Sequence, residues 1–566
     1  MPGEWSASRK TSWGETRSGD RAASPLVQLR AGTATLVLAA LVVLGLVVRL
    51  IAVARLSLQI DEPASLLGAL AVAERGVPLL PSGTLYLHGA TLSYLLAPLV
   101  WLGFDSMADL HTLRLVSAAI GTLAILLTYR LGLLATGRTW LALAAALLVA
   151  VDPISVQWSA HLRMYALLQV VTLAIALTFL RALGNGDRLP MLMVSLFIIA
   201  AFTHLGVALL WPAMVLVAAV AHGRTLLGAN RGLGLGLLLC LLGPLLVVTL
   251  NRALAPGARS GAASVSGSVL NDQGFLTLER LLRPSLAGWT SLFRADWFAG
   301  LMPALVATLS GVVLGRYVLA GERRGSDRAR VVGALLALHW IPVLLIGFLI
   351  TEQHPRYAMS VYPFALILAV VALSLLGQTG WRMLRDKARG GWTLLLGATL
   401  AAAIVVANLG QGIVQLGQHP TIEPDYGDAL AYVAEHRAPD EIVLSAMTPP
   451  AYLLLGGDNL AFLAGQEGTA RAASYTQRNA AGNLVDYWVG VPAIATVSDL
   501  CSAFASNPGG WVVIDEMRLH YFPAFADPVG TIIREATTEV YRGGMDSLVL
   551  RIKPAGRTDA AACEPA

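Results

Sequence analysis

Long apolar runs separated by short polar stretches dominate the chain and predict membrane-spanning helices. The first run, residues 35–54, is long enough to cross a bilayer, which takes about 20 residues. Further runs bring the predicted total to about eleven helices, several of them short. They lie at residues 113–134, 139–151, 165–183, 191–204, 207–221, 233–250, 298–319, 331–350, 357–376 and 392–409. The pattern is typical of a polytopic α-helical membrane protein.

Polar segments flank this transmembrane domain, residues 34–415, at both ends. Residues 1–33 are rich in Ser, Gly and Arg, so we expect a disordered cytoplasmic arm. Residues 416–566 have ordinary charge density and no spanning run, which predicts an external soluble domain. Helical spacing and buried-strand patterns in that domain indicate an α/β fold, and they lie at residues 426–437, 441–447, 511–514 and 547–552.

Composition supports a membrane protein and argues against a nucleic-acid-binding one. Of the 566 residues, 56% are hydrophobic and only 13% are charged, whereas soluble domains average roughly 25% charged. The net charge of +5 comes from basic residues in short loops between apolar runs. That placement is the positive-inside pattern of membrane proteins, so the partner is the lipid bilayer and no nucleic acid is expected.

The basic loops also predict the orientation of the chain. The densest are residues 322–330 and 381–389, and both lie on the cytoplasmic side only if residues 86–104 do not cross the membrane. We therefore expect that apolar stretch to be an in-plane helix within a long external loop, residues 56–112. A second external loop is expected at residues 251–296. The predicted protein is a multi-pass component of the cytoplasmic membrane, with a cytoplasmic N-terminus and an external C-terminal domain.

The three cysteines define no disulfide framework. Cys240 lies in an apolar run. Cys501 and Cys563 both belong to the predicted external domain, and they could pair only if the C-terminal segment reached back to Cys501.

Asp61, Glu62 and Pro63 follow the first apolar run and open the long external loop. Such an acidic pair more often just ends a helix, and each polar residue at a helix end is more often an interfacial anchor. The same topology, however, places many other polar candidates at this one membrane face. They are Arg49, His88, Arg163, Tyr165, His204, His354, Arg356 and Tyr357.

This grouping suits transfer chemistry with a phosphate leaving group. A carboxylate can act as general base toward a hydroxyl acceptor, and arginines pair two phosphate oxygens at once. A lipid-linked donor would bring its phosphate to this depth. The alternative is a polyprenyl-phosphate or lipid-linked sugar transporter, which would place ionisable residues nearer the midplane. A purely structural scaffold would need neither the acidic pair nor the arginines.

A family resemblance rests on the order of several short motifs. They are Asp61-Glu62 at the start of the external loop, Arg114 after it, the Arg-Met-Tyr-Ala-Leu run from Arg163, and Arg356-Tyr357 before a late helix. In this order the chain resembles the GT-C glycosyltransferases of the protein O-mannosyltransferase type, glycosyltransferase family 39 and its bacterial relatives, which include the aminoarabinose transferases of lipid A.

The resemblance implies an inverting transfer of a sugar from a polyprenyl-phosphate donor to a hydroxyl of a protein, lipid or glycan on the outer face. Asp61 would be the catalytic base, with Glu62 positioning acceptor or donor. Arg163 and Arg356 would contact the donor phosphate, and the residues themselves suggest Arg49 as a third contact. His88, Tyr165, His204, His354 and Tyr357 are the predicted substrate-binding residues.

The chain also departs from the family pattern. Leu87-His88-Gly89 stands where the protein mannosyltransferases often carry His-Pro-Pro, and His161-Leu162-Arg163 stands where they have an aspartate. No cofactor is certain, and a divalent metal stays open as an alternative. Some relatives bind a divalent metal in the first external loop, to which Glu74 and His88 could contribute, but their spacing predicts no metal site.

Overall fold

The computed structural model describes residues 25–184, 189–223, 230–254, 309–313, 327–349, 355–386, 391–418, 424–469, 472, 475–554 and 563. Within these residues the chain forms a helical membrane domain followed by a mixed α/β domain. The helices of the membrane domain are α1 Pro25–Arg55, α2 Glu62–Arg75, α3 Ala90–Trp101, α4 Leu110–Thr136, α5 Thr139–Val151, α6 Pro153–Ala160, α7 Tyr165–Ala182, α8 Leu189–Thr203, α9 Leu210–His222, α10 Arg231–Leu239, α11 Leu242–Leu254, α12 Asp327–Leu349, α13 Pro355–Ala358, α14 Tyr362–Arg385 and α15 Gly391–Gln418.

Seven helical segments in the described part of the chain are long and apolar enough to cross a membrane. An eighth is the pair α5 and α6, which bends by 49° where Asp152-Pro153 interrupts the helix. Three shorter apolar helices, α3, α8 and the apolar part of α15, add to this bundle. The chain is therefore a multi-pass membrane protein. The span expected at residues 298–319 lies almost entirely outside the described residues, so the total of about eleven stays a prediction.

The external loop predicted at residues 56–112 is folded rather than extended. It contains α2, which begins with Pro63 in its first turn, and α3, which is only 12 residues long. At 1.5 Å per residue α3 covers about 18 Å, well short of a bilayer core. This length agrees with a helix in the first external loop that does not cross. The second predicted loop, residues 251–296, lies beyond the described residues except for its first four.

The C-terminal domain has a six-stranded sheet in the order β5-β2-β1-β6-β8-β7. Strands β1, β2, β5 and β6 run parallel, while β8 pairs antiparallel with β6 and β7. A separate hairpin joins β3 and β4. The strands are β1 Val443–Ser445, β2 Leu460–Leu463, β3 Thr476–Arg478, β4 Leu484–Asp486, β5 Ala493–Ile494, β6 Trp511–Asp515, β7 Thr537–Arg542 and β8 Ser547–Ile552, and the helices are α16 Tyr426–His436, α17 Thr448–Leu455, α18 Val497–Ser506, α19 Glu516–Tyr521 and α20 Val529–Ala536.

The predicted α/β character of this domain is confirmed. The helix and the three strands expected from the sequence match α16, β1, β6 and β8. Cys501 and Cys563 form a disulfide, with their Cα atoms 5.7 Å apart, which joins α18 to the C-terminal segment. Disulfides form in oxidising compartments, so this pairing agrees with an external domain.

Candidate active site

Asp61 lies between two guanidinium groups at one end of the helical bundle. Its Oδ2 is 3.4 Å from Nη2 of Arg163 and 3.7 Å from Nη1 of Arg356. Gln59 Nε2 also donates to Oδ2 over 3.4 Å. Asp61 is the residue before α2, yet its side chain caps no backbone N–H of that helix. The carboxylate is therefore directed to the arginines, and it keeps 26% exposure.

The electrostatic environment favours an ionised Asp61. Burial by itself raises the pKa of this carboxyl group, but Arg163, Arg356 and the Gln59 hydrogen bond together outweigh that effect. The pKa of Asp61 therefore lies below its ordinary value. The carboxylate is charged at neutral pH, as a general base must be.

Glu62 occupies a different environment from its neighbour Asp61, because protein donors surround its carboxylate. Arg114 binds it at two points, with Nε 2.8 Å from Oε1 and Nη2 2.5 Å from Oε2. The backbone N–H of Leu162 donates to Oε1 and that of Gln59 to Oε2. The side chain is fully buried. The resemblance implied that Glu62 positions acceptor or donor, and this stays a prediction. Both of its oxygens bind protein donors, so any such effect would act through the groups that Glu62 holds.

Arg163 is held in place by groups from the external loop. Its Nη1 donates to the Asp61 carbonyl oxygen over 2.8 Å, to Ser65 Oγ over 3.2 Å and to Tyr86 OH over 3.3 Å. Its Nε is buried and has no hydrogen-bond partner within the described residues. Arg163 follows the end of α6, where the backbone turns into α7. The sequence did not indicate Tyr86, since a tyrosine in an apolar loop is ordinary at a membrane interface.

Arg356 is surrounded by aromatic rings. Its Cζ lies 5.4 Å from the ring centre of Trp158, 5.8 Å from that of Tyr165 and 5.4 Å from that of Tyr357. Such cation–π contacts stabilise a guanidinium that has lost much of its water. Trp158 was not predicted from the sequence. It lies on α6, directly after the 49° bend at Asp152-Pro153.

Two histidines complete the cluster beside these rings. The rings of His88 and His204 lie 4.3 Å apart, and His204 also neighbours Tyr165 and Tyr357 at 5.7 and 6.1 Å. Burial and the positive charge of Arg163 lower the pKa of His88 to about 3. Burial, His88 and the two arginines likewise lower the pKa of His204. Both imidazoles are therefore neutral at physiological pH.

The hydrogen bonding of His204 determines which ring nitrogen carries its proton. Nδ1 accepts from the backbone N–H of Gly206 over 2.9 Å, so the proton of the neutral ring is on Nε2. That Nε2 is buried and has no hydrogen-bond partner in the described part of the chain. His204 thus offers one neutral donor to a bound group.

Arg49 does not join this cluster. Its Nη1 donates to the carbonyl oxygens of Gly45 and Ala150 over 2.9 and 3.1 Å, and its Nη2 to that of Val149 over 3.4 Å. Gly45 lies within α1, whereas Val149 and Ala150 belong to the last turn of α5, where helix-end carbonyls can accept side-chain donors. A phosphate-binding role for Arg49 does not fit this position, because its guanidinium is fully buried and both of its Nη atoms donate to backbone carbonyls of α1 and α5.

The structure therefore brings together seven of the predicted site residues, which are Asp61, His88, Arg163, Tyr165, His204, Arg356 and Tyr357. His354 lies outside the described residues. Glu74 is exposed on α2. No group of three His, Cys, Asp or Glu side chains that could hold a metal ion is found within the described ranges.

Solved structures share this architecture over nearly the whole chain. The chain is similar to ArnT from Cupriavidus metallidurans bound to undecaprenyl phosphate, with a TM-score of 0.57 and 15% identity, covering 94% of this chain and 99% of that one. The apo form of that protein gives a TM-score of 0.52 at 14% identity, covering 95% and 100%. The chain has the GT-C fold.

Identity this low shows the GT-C fold alone and assigns no activity. The oligosaccharyltransferase of Archaeoglobus fulgidus in its apo form gives a TM-score of 0.47 at 13% identity, covering 92% of this chain and 75% of that one. No protein-family model and no curated protein matches the sequence.

Proposed function

We propose that this protein is a membrane glycosyltransferase that moves a sugar from a polyprenyl-phosphate donor to a hydroxyl acceptor. The observation that carries the proposal is the position of Asp61 between Arg163 and Arg356. The neighbouring residues Leu67 and Tyr86 pack into the core of the C-terminal domain. One carboxylate and two guanidinium groups match the needs of a base and a phosphate leaving group. The GT-C fold, shared with a protein that was solved with undecaprenyl phosphate, supports the same lipid class for this chain.

In the proposed reaction, the acceptor hydroxyl oxygen attacks the anomeric carbon of the donor sugar. Asp61 takes the hydroxyl proton as the new C–O bond forms. The bond between the anomeric carbon and the phosphate oxygen breaks, and its electron pair leaves with the polyprenyl phosphate. Attack opposite the leaving group inverts the anomeric configuration. The products are the glycosylated acceptor, a polyprenyl phosphate and a protonated Asp61, which returns its proton to solvent.

Donor binding would also activate the base. In the absence of a donor, Arg163 and Arg356 both lower the pKa of Asp61. A phosphate that binds these two arginines partly neutralises their charge, so the pKa of Asp61 rises toward its ordinary value. A carboxylate with a higher pKa is a stronger base. We infer that Asp61 accepts the proton best when the donor phosphate is in place.

The aromatic rings and neutral histidines are suited to bind the sugar. Tyr165, Tyr357 and Trp158 offer apolar ring faces close to Arg356. His204 offers the unpaired Nε2–H described above, which could donate to a sugar hydroxyl. We propose that the donor sugar lies between this aromatic group and Asp61. The site faces the outside of the cytoplasmic membrane in the orientation that the basic loops predict.

The proposal is tested by sugar transfer in proteoliposomes. The purified protein receives a radiolabelled polyprenyl-phosphate sugar and a crude envelope fraction as the acceptor, and label that moves to the acceptor is measured. Label that moves only between the leaflets, in liposomes that contain no acceptor, would instead support the transporter. We expect transfer that depends on Asp61 and no acceleration of leaflet exchange.

A further inference from the structure

The loop of residues 77–89, called here the docking loop, leaves the membrane domain and packs into the C-terminal domain. Within the loop, an antiparallel bridge joins Leu79 to Leu85. Leu80 is fully buried, and it shares the hydrophobic core of the C-terminal domain with Tyr86 and with Leu67 of α2. Part of the core of this domain is therefore contributed by the first external loop.

Polar contacts align the docking loop on the hairpin formed by β3 and β4. Thr84 Oγ1 donates to Gln477 Oε1 over 3.1 Å, and Gln477 Nε2 donates to the carbonyl oxygen of Ser82 over 3.3 Å. The backbone N–H of Ser82 donates to the carbonyl oxygen of Trp488 over 3.4 Å. Gly490, at φ +78°, lets the backbones approach so closely that a Cβ there would lie 2.9 Å from Ser82 Cα. The docking loop and the C-terminal domain are therefore joined by specific hydrogen bonds and by close backbone packing.

Hydrogen bonds hold the backbone of Trp488 at this surface. The buried carboxylate of Asp486 accepts the backbone N–H groups of Trp488 and Val489 over 2.8 and 2.6 Å, and it also accepts Thr448 Oγ1 over 2.7 Å. The Trp488 ring meets that of Tyr86 edge to face, with ring centres 5.9 Å apart. This geometry is a favourable one for aromatic pairs.

Tyr86 carries this contact to the candidate active site. While its ring packs on Trp488, its hydroxyl accepts Nη1 of Arg163 over 3.3 Å. Gly68 on α2 makes room for the ring, since a Cβ there would lie 2.7 Å from Tyr86 Cδ1. A continuous series of contacts therefore runs from Trp488 through Tyr86 to Arg163, which lies beside Asp61.

We propose that the C-terminal domain positions Arg163 for catalysis, with Trp488 and Tyr86 as the positioning residues. The C-terminal domain then acts as part of the active-site wall, because it orients the docking loop and with it the hydroxyl that directs Arg163. The effect on activity rests on the proposed glycosyltransferase function, whereas the mechanical coupling between the two domains does not.

The kinetic test compares Tyr86→Phe, Trp488→Ala and the double variant in the transfer assay. Tyr86→Phe removes the hydrogen bond to the Arg163 guanidinium, and Trp488→Ala removes the ring that holds Tyr86 in place for it. Each single variant is expected to raise the apparent KM for the donor about tenfold, with a smaller change in kcat. Because Trp488 acts through Tyr86, the double variant should be no worse than Tyr86→Phe by more than about threefold. A double variant whose donor KM is raised about a hundredfold, the product of two independent tenfold effects, would overturn the proposal.

Two further variants separate positioning from general damage to the domain. Trp488→Phe keeps an aromatic edge for Tyr86 and should restore the donor KM to within about threefold of wild type. Tyr521→Ala removes an aromatic side chain that is 81% exposed on the same domain, and it should leave the KM unchanged. An equal rise of KM in Tyr521→Ala and Trp488→Ala would contradict a specific role for Trp488.

A measurement without turnover keeps the proposal testable if no transfer is found. Hydrogen–deuterium exchange of the full-length protein in nanodiscs reports on the docking loop and on the segment around Arg163. Trp488→Ala should increase exchange in both segments, whereas Tyr521→Ala should change neither. Unchanged exchange at both segments in Trp488→Ala would overturn the coupling, whatever reaction the protein performs.

Discussion

Glu62 and Arg114 form a buried two-point ion pair, in which Nε and Nη2 of the arginine each meet one carboxylate oxygen. The pair joins the start of α2 to the first turns of α4 and thereby anchors the external loop on the bundle. Asp61, one residue earlier, is instead half-buried beside Arg163 and Arg356. Two adjacent carboxylates therefore have separate tasks, one in structure and one in the proposed chemistry.

Removal of the Glu62 carboxylate should destabilise the protein. In Glu62→Ala the guanidinium of Arg114 stays buried without its partner, which is expected to lower the free energy of unfolding by about 3–5 kcal/mol. Thermal unfolding in detergent measures this change. Glu74→Ala, an exposed position on the same helix, serves as the control and should stay within about 0.5 kcal/mol of wild type. A wild-type melting temperature for Glu62→Ala would contradict the structural role.

The two site arginines and Arg49 should differ in donor binding. Arg163→Ala and Arg356→Ala are each expected to weaken the apparent donor affinity by about tenfold or more, because a charge-assisted contact to phosphate is lost. Arg49→Met, which keeps an unbranched side chain without the charge, should change that affinity by less than about twofold, since the hydrogen bonds of Arg49 go to helix carbonyls. Titration with undecaprenyl phosphate, which carries the lipid phosphate that these contacts would bind, measures all three. The assignment fails if Arg49→Met weakens binding as much as Arg163→Ala does.

The pH dependence of kcat/KM should report the ionisation of Asp61. Its acid limb, where kcat/KM falls as Asp61 is protonated, should move when a neighbouring positive charge is removed. Since Arg163 and Arg356 hold the pKa of Asp61 below its ordinary value, kcat/KM of the wild type should stay level as the pH falls from about 7 to about 5. Arg356→Gln removes a positive charge, which raises the pKa of Asp61 and moves the acid limb to higher pH. His88, with a pKa of about 3, contributes no limb in this range. An acid limb in Arg356→Gln at the same or lower pH would contradict this assignment.

Cysteine labelling tests the proposed orientation. In intact cells, a membrane-impermeant thiol reagent should label Glu74→Cys on α2 and Tyr521→Cys in the C-terminal domain, because both positions are exposed and assigned to the outer face. Trp381→Cys, near the end of α14 in a basic segment, should react only after the membrane is opened. Labelling of Trp381→Cys and Tyr521→Cys from the same side would contradict the topology.

Hydrophobic patterning was sufficient for much of the fold because apolar runs and positive loops are direct consequences of the bilayer. It predicted the boundaries of α7 within one residue and the final strand β8 without error. It also predicted one span at residues 233–250, and the structure has such a span at Arg231–Asn251. Only the two-residue interruption between α10 and α11 was missed. The hydrophobic pattern also did not show that the bend at Asp152-Pro153 helps to form the site. Trp158, which follows that bend on α6, contacts Arg356.

Sequence could predict site residues that stand out by their charge. It could not predict residues whose role depends on tertiary packing. Asp61, Arg163 and Arg356 stood out as charges at one membrane face, and the structure brings them together. Glu62 is an acid like Asp61 and Arg49 a base like Arg163, but Glu62 pairs with Arg114, and Arg49 donates to backbone carbonyls of α1 and α5. Tyr86 has no sequence signal at all. Its role depends on a contact with Trp488, about four hundred residues later in the chain, which only the tertiary fold provides.

The central claim is that Asp61 accepts the proton of the acceptor hydroxyl. The most direct measurement is the single-turnover rate of sugar transfer by Asp61→Asn at saturating donor, beside Asp105→Asn, an exposed acidic position of the same external loop. We predict that Asp61→Asn loses at least about a hundredfold in rate while its melting temperature and undecaprenyl phosphate binding persist, and that Asp105→Asn transfers as wild type does. Transfer by Asp61→Asn at a rate near that of wild type would contradict the account.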